Sequence, residues 1–499
     1  MSLPKESATA TAQQGNAEGI DRGGIGGHPK GLTTLFFTEM WERFSYYGMR
    51  ALLILFMTDS ARGGLGLSVA RAGRIYGLYT ASVYIASLPG GWVADHVLGL
   101  RRAVLLGGIV IALGQFSLAI PSMATFYTGL LLIVIGTGLL KPNISAMVGE
   151  LYSEGDPRRD GGFSIYYMGI NLGAFFSPLV CGTLGERLGW RWGFGMGGVG
   201  MVFGILQYVL TGSRLGSAGL RGKKAAGATE AGKSKSSLGN LLWVGGFGLI
   251  VVALVMPQFS SLQRFVLLAI GASLFISSLY MGGRFTPAEK KRGVVIYLLF
   301  WIAALFWSTF EQAGSSLNLF AARMTRTALF GFDFPVTWFQ SLNPLYIILL
   351  APMFSWLWIR LGKHEPSGPA KFTVGLLLVG VGFLPLVYAA HLARGGENLV
   401  SPMWLVTTYF VHTLGELCLS PVGLSLMTKL APARIVGQIM GVWFLASAIG
   451  NYIGGEVASL FESFPLPQLF GTVAMTNIAI ALLFALAVPQ VRKLMSGVR

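Results

Sequence analysis

Charge is scarce in this chain: Asp, Glu, Lys and Arg make up 12% of its 499 residues, against roughly 25% in soluble domains. Acidic residues are the scarcer kind, 21 against 37 Lys and Arg, for a net charge of +16. That excess does not describe a nucleic-acid-binding protein, because the basic residues sit in short loops between apolar runs and form no continuous face. Cysteine is nearly missing. The two present, Cys181 and Cys418, lie inside apolar stretches far apart in the chain, which argues against a disulfide framework and leaves them as packing residues. No H-E-x-x-H, paired-cysteine or Gly-rich phosphate-loop pattern stands in a suitable place, so a metal- or nucleotide-dependent enzyme has no support.

What is abundant is apolar. Hydrophobic residues make up 53% of the chain, mean hydropathy is +0.63, and 69 glycines suit closely packed membrane helices. Apolar segments of spanning length fall near 34–58, 73–95, 103–121, 124–150, 162–186 and 192–212. Two more follow near 239–256 and 264–283, and another six near 293–318, 335–361, 372–391, 401–428, 435–460 and 466–490. The predicted fold is therefore an all-α polytopic membrane protein of fourteen transmembrane helices. It divides into a polar tail (1–30), a six-helix bundle (31–212), a basic linker (213–238), two additional helices (239–283), a second six-helix bundle (284–491) and a short tail (492–499). Residues 1–30 lack the continuous apolar core of a secretory signal, so the first span is itself the targeting element. The basic run from Arg221 to Lys235 reads as a solvated linker near anionic headgroups. Positive charge collects in the tails and in the loops at Arg101-Arg102, Arg158-Arg159, Lys290-Lys291-Arg292 and Lys363, which places both termini in the cytoplasm.

The few charges inside the spans are the informative ones. From Glu39 to Arg50 the chain reads E-M-W-E-R-F-S-Y-Y-G-M-R. On a helix, Glu39, Glu42, Arg43, Tyr46, Tyr47 and Arg50 share one face about 140° wide. A charged side chain costs about 2.5–3.5 kcal/mol at the bilayer centre, so this face must look into a polar cavity or pair internally, as the wall of a transport pathway would. Further polar residues recur in other spans: Lys141 beside Pro142, Asn171, Glu311 one turn after Trp307, Asn343 before Pro344, and Glu416. Trp443 and Ser447 share a helix face. The first half is net basic at these positions (Arg43, Arg50, Lys141 against Glu39 and Glu42) and the second acidic (Glu311, Glu416). A ligand with a carboxylate at one end and an ammonium at the other satisfies such a two-ended site. Two or three residues of extended peptide span about 7–10 Å, and Tyr46, Tyr47, Tyr84, Trp307 and Trp443 supply tolerant side-chain pockets. Opposite charges facing one another across two halves do not make a channel, which needs rings of carbonyls or like charges.

Plainer assignments stand beside these. Glu39 and Arg43 at i, i+4 also fit a structural intrahelical pair, and Lys141 with Glu416 a static interhelical lock. Trp307, Trp443 and Tyr84 also fit packing aromatics, and His412, one turn before Glu416, a core histidine bonded to a neighbour.

Two six-helix halves around a basic linker suggest the major facilitator architecture. The segment Gly91-Trp92-Val93-Ala94-Asp95-His96-Val97-Leu98-Gly99 followed by Arg101-Arg102 resembles that superfamily's G-x-x-x-D-R/K loop, with His96 at the usual basic position. The Glu39–Arg50 run, the Lys141 segment, I-N-x-G around Asn171, Glu311, the N-P at Asn343 and G-E-L at Glu416 together resemble the proton-dependent oligopeptide transporter family over nearly the whole chain. The two additional helices resemble the extra pair of its bacterial members. The resemblance implies a proton-coupled symporter importing di- and tripeptides by alternating access, a monomer in the inner membrane that needs no cofactor beyond the proton as coupling ion. It implies that Glu39, Glu42, Arg43 and Glu311 serve proton coupling, and that Arg50 pairs with Glu311 and Lys141 with Glu416 as gates. Arg43, Arg50 and Lys141 are expected near the peptide carboxylate, and Asn171, Asn343 and Glu416 near its amine. Tyr46, Tyr47, Tyr84, Trp307, Trp443 and Ser447 complete the expected site. The rival is a proton-coupled transporter of the same fold with another small cargo, such as nitrate, an amino acid or a drug.

Overall fold

The computed structural model describes residues 21–153, 155–220, 237–256, 259–281, 285–329 and 331–498. Most of the N-terminal tail (1–20) and the basic run from Arg221 to Lys235 lie outside the described residues.

Among the described residues, twelve helices are long and apolar enough to cross a membrane, and two more of spanning length precede them in the chain. These two, α1 (Lys30–Thr58) and α2 (Val69–Val93), fall short of a simple hydropathy criterion for opposite reasons. α1 carries Glu39, Glu42, Arg43 and Arg50 on an otherwise apolar helix, while α2 is rich in Gly, Ala, Ser and Tyr. Polar content is tolerated there because α1 is buried on most of its circumference, from Gly31 to Met57. The others are α3 (Leu100–Leu118), α4 (Met123–Glu150), α5 (Arg159–Leu188), α6 (Trp190–Leu210), α7 (Ser237–Val255), α8 (Ser261–Leu279), α9 (Pro287–Met324), α10 (Val336–His364), α11 (Gly368–Ala393), α12 (Met403–Leu430), α13 (Val436–Ser459) and α14 (Leu466–Leu494). The expected order of six, two and six is what forms.

Local signals set several ends. Thr286 and Glu289 form a reciprocal capping box at the start of α9 with Pro287 at its first position, and Ser260 and Gln263 do the same for α8. Two helices are interrupted. α5 passes through a π-turn at Pro178–Gly182. α9, expected as one run, breaks at a 3-10 turn over Glu311–Gly314, after which Ser315 leaves helical geometry at φ −125° and ψ −90°. Between α9 and α10 a short hairpin pairs β1 (Ala328–Leu329) with β2 (Phe332–Asp333).

The same pairings build both bundles. In the first, α3 packs on α4, α1 on α5 and α6, α2 on α4, and α3 on α6; in the second, α11 packs on α12, α9 on α13 and α14, α10 on α12, and α11 on α14. The halves meet along two seams, α2 against α13 and α5 against α10, which exchange when the bundles are exchanged. That is the pseudo-two-fold relation expected of a repeated six-helix unit. The α7–α8 hairpin packs on itself and touches α13. Arg264 on α8 donates to Tyr452 Oη (2.9 Å) and Glu456 Oε1 (3.3 Å) of α13.

With an even number of spans, the ends of α1 and α14 lie on one face. Arg292 at the start of α9 donates to the carbonyls of Met495 and Ser496 (3.3 Å each). The last part of the expected tail is held on that face, where Arg158 donates to the carbonyls of Asp21 and Gly27 (3.1 Å each).

The α2–α13 seam depends on bare backbone. A Cβ on Gly455 would stand 2.4 Å from Gly77 Cα and 2.7 Å from Gly73 O, whereas one on Gly471 would meet nothing within 4 Å. Gly455→Leu is therefore expected to destabilise the fold by about 1–3 kcal/mol, and Gly471→Leu to be neutral. Thermal unfolding of both variants in detergent checks this; equal midpoints would show that the seam is not close-packed.

Candidate functional site

The site starts at the charged face of α1. Arg43 Nε lies 3.2 Å from Glu39 Oε1 and also bonds the Glu42 carboxylate. The three side chains are almost fully buried, with residue exposures of 1% (Glu39), 0% (Glu42) and 3% (Arg43). Glu39, Glu42 and Arg43 therefore satisfy their charges chiefly by pairing with one another inside the first bundle. The pairing is incomplete, because Glu42 Oε1 and Arg43 Nη2 are buried without a protein hydrogen-bond partner. The Arg43 guanidinium also lies 5.1 Å from the centre of the Tyr46 ring, which packs edge-on against Tyr47.

Two turns along α1, Arg50 crosses to the other bundle. Its Nη2 bonds the Glu311 carboxylate, with Arg50 8% and Glu311 6% exposed. Its Nε donates to Tyr76 Oη of α2 at 2.7 Å, and its plane lies 5.8 Å from the Tyr47 ring. The break in α9 makes this contact sterically feasible. A Cβ at Gly314 would stand 1.9 Å from Tyr76 Oη and 3.0 Å from Arg50 Nε, so only glycine lets both groups reach the turn that carries Glu311. Next to it, Asn318 donates to the carbonyl of Ala51 at 2.7 Å.

Lys141 and Glu416 are not joined. The Lys141 ammonium lies 4.6 Å from the centre of the Tyr84 ring. Glu416 accepts from Asn343 Nδ2 at 2.8 Å, and the same amide reaches Thr413 Oγ1 at 3.1 Å. Pro142 frees the carbonyl of Gly138 one turn back in α4, and Gly90 of α2 packs against that oxygen. Asn171 donates within its own helix to Tyr167 O (2.9 Å). Trp307 is 9% exposed and its Nε1 has no protein partner. Trp443 is buried between Gly423 and Phe372, and Ser447 is buried one turn beyond it. His412 lies between Phe310 and Phe383, ring centres 6.3 and 5.2 Å away, apart from the charged groups.

Further polar contacts join the bundles on one face. On the face opposite the termini, Glu186 of α5 accepts from the backbone of Val336 (2.9 Å) and Thr337 (2.8 Å) and from Thr337 Oγ1 (2.7 Å). It thereby caps the first turn of α10 from the other half of the molecule. Trp338 Nε1 donates to Thr183 Oγ1 (2.9 Å), Arg187 to Asp333 O (2.8 Å) and Ser341 to Phe175 O (2.8 Å). Arg74 of α2 adds an ion pair with Glu456 at 3.6 Å. These contacts latch the two halves on the face opposite the termini.

Sequence analysis does not single out Tyr76, Gly314, Asn318 or Glu186. The E-Q-A-G spacing after Phe310 was a signal for a helix break. Nothing local marks Tyr76 or Glu186, whose partners are brought in by the other helices.

Comparison with known proteins places the chain among transporters. The sequence profile of the POT family matches residues 101–473. The "Peptide transporter YePEPT" of Yersinia enterocolitica subsp. palearctica is 42% identical over 94% of this chain and 96% of its own length. The "Di-/tripeptide transporter" of Lactococcus lactis subsp. cremoris is 36% identical over 95% and 98%. A crystal structure of a peptide transporter, POT, in complex with sulfate superposes with a TM-score of 0.83 at 42% identity, over 97% of this chain and 99% of that one.

The Glu186 cap yields a direct expectation. Spin labels at exposed Leu188 and Phe332, which flank the latch, should report one short distance in the unmutated protein. Loss of a helix cap is worth about 1 kcal/mol, so Glu186→Ala should raise the population of a longer distance about fivefold. An unchanged distribution would show that the carboxylate does not hold this face shut.

Proposed function

This chain belongs to the POT family, and on that premise we propose that it imports di- and tripeptides with protons by alternating access across the inner membrane. The face of the termini is the cytoplasmic one, as the basic loops there indicate. The conformation, with this latch made, is then closed on its outer side. Both gates come from one chain, so a monomer suffices.

The observation that carries this reading is the buried Arg50–Glu311 pair, which joins the two bundles with one titratable partner. A proton arriving at Glu311 removes the charge that holds Arg50 and frees the guanidinium for a peptide carboxylate. Arg43, with its unpartnered Nη2, and Lys141, held only by the Tyr84 ring, complete the basic end. Asn171 of the first bundle and Asn343 and Glu416 of the second face the peptide amine. Tyr46, Tyr47, Tyr84, Trp307, Trp443 and Ser447 receive side chains. Glu39 and Glu42 share the permanently charged Arg43, and these carboxylates take up and release the proton as access alternates. The Lys141–Glu416 pair forms when the inner face closes and is parted in the state described.

Proteoliposomes under an inward proton gradient test the reading. About 100 mV of potential is worth about 2.3 kcal/mol per charge and one pH unit about 1.4, so one proton per neutral peptide supports accumulation of several-hundred-fold. Dialanine and trialanine should accumulate, free alanine and nitrate should not, and a protonophore should leave only equilibration. Glu42→Gln should lose the drive while keeping some counterflow, since the amide preserves shape without titrating. Accumulation of nitrate or alanine in place of peptide would assign another cargo to the fold.

A further inference from the structure

A helix that breaks inside a membrane leaves backbone carbonyls in need of new donors. The break at Glu311–Gly314 meets that need at one point. Ala313 O accepts from Gln340 Nε2 at 2.5 Å and from Tyr409 Oη at 3.3 Å, and the Gln340 amide also donates to Tyr409 Oη at 3.0 Å. The triangle ties three helices of the second bundle together: α9 through Ala313, the first turn of α10 through Gln340, and α12 through Tyr409. Tyr409 is 2% exposed. Arg50 and Tyr76 of the first bundle approach the same turn at Gly314, where a Cβ would collide with them. Glu311 is thus carried on a turn whose backbone is pinned by the second bundle and whose side chain is met by the first.

We infer that Gln340 and Tyr409 are positioning residues for Glu311: by holding the Ala313 carbonyl they fix the helix break that aims the carboxylate at Arg50. Neither touches the carboxylate. Without these donors the turn would regain freedom to rewind or rotate, and Glu311 would meet Arg50 in a spread of geometries rather than one. Gln340 also sits on the Val336–Ser341 turn that Glu186 caps from the first bundle. Parting of the outer latch therefore acts on the same element that holds the Glu311 turn.

The inference rests on the reading of Glu311 as a coupling group, so the experiment carries Glu311→Gln as its reference. Proteoliposomes containing the unmutated protein, E311Q, Tyr409→Phe and the double variant Gln340→Leu/Tyr409→Phe are compared for dialanine accumulation at a fixed inward proton gradient and for peptide counterflow without one. A neutral hydrogen bond is worth about fivefold in an equilibrium. Tyr409→Phe, which keeps the ring and removes one donor, is expected to lower driven accumulation up to about fivefold, and the double variant further, with counterflow less affected than accumulation. A purely structural role would lower both rates together, and that result overturns the inference. Accumulation in both variants equal to the unmutated protein, with E311Q uncoupled, also overturns it while leaving Glu311 its role. E311Q that still accumulates peptide overturns the reading of Glu311 itself.

Discussion

The structure turns on one buried ion pair that belongs to neither half alone. Arg50 and Glu311 sit in a region where a lone charge is prohibitive, so each bundle supplies what the other lacks. Breaking such a pair by removing one partner costs about 3–5 kcal/mol, so the two bundles cannot part at this level unless the charge is neutralised or replaced. On the proposed reading, a proton on Glu311 would do the first and a peptide carboxylate on Arg50 the second. That requirement would link proton and peptide without any further device.

Other features follow from that pair. The break in α9 delivers Glu311 to the seam, and Gly314 leaves room for Tyr76 and Arg50 to approach. The outer latch at Glu186 consists of hydrogen bonds to a helix start, which form and break without stranding a buried charge of opposite sign. On the inner face Lys141 rests on an aromatic ring and Glu416 on an asparagine amide. Each is satisfied while apart, as the proposed alternation of this pair requires. The repeated pairing of helices in the two bundles gives both seams the same geometry, so closing one face and opening the other is a rocking motion rather than a refolding.

Much of this was legible in the sequence where charge meets hydrophobicity. The cost of ionised groups in lipid singles out Glu39, Glu42, Arg43 and Arg50, and the order of six, two and six spans follows from apolar length alone. α1 shows the limit of counting hydropathy, because the residues that make it functional also make it look too polar to span. Partners supplied by other helices were not legible. Tyr76 looks like any interfacial tyrosine, Gln340 like a loop amide and Glu186 like an ordinary acid at a helix end; each acquires its role only when two six-helix units are set face to face. The pairing of Arg50 with Glu311 came from family resemblance, since spacing within one helix cannot say what lies across a seam.

The central claim is that the two charge pairs alternate. Pulsed spectroscopic distances between labels at the outer ends of α1 and α9, and between labels at the inner ends of α4 and α12, measured at high and low pH with and without dialanine, test it most directly. The account predicts that proton and peptide together change the two separations in opposite senses, one lengthening as the other shortens. Separations that stay fixed under all four conditions would contradict it, making the Arg50–Glu311 pair a structural bond and leaving coupling to the Glu39, Glu42 and Arg43 cluster alone.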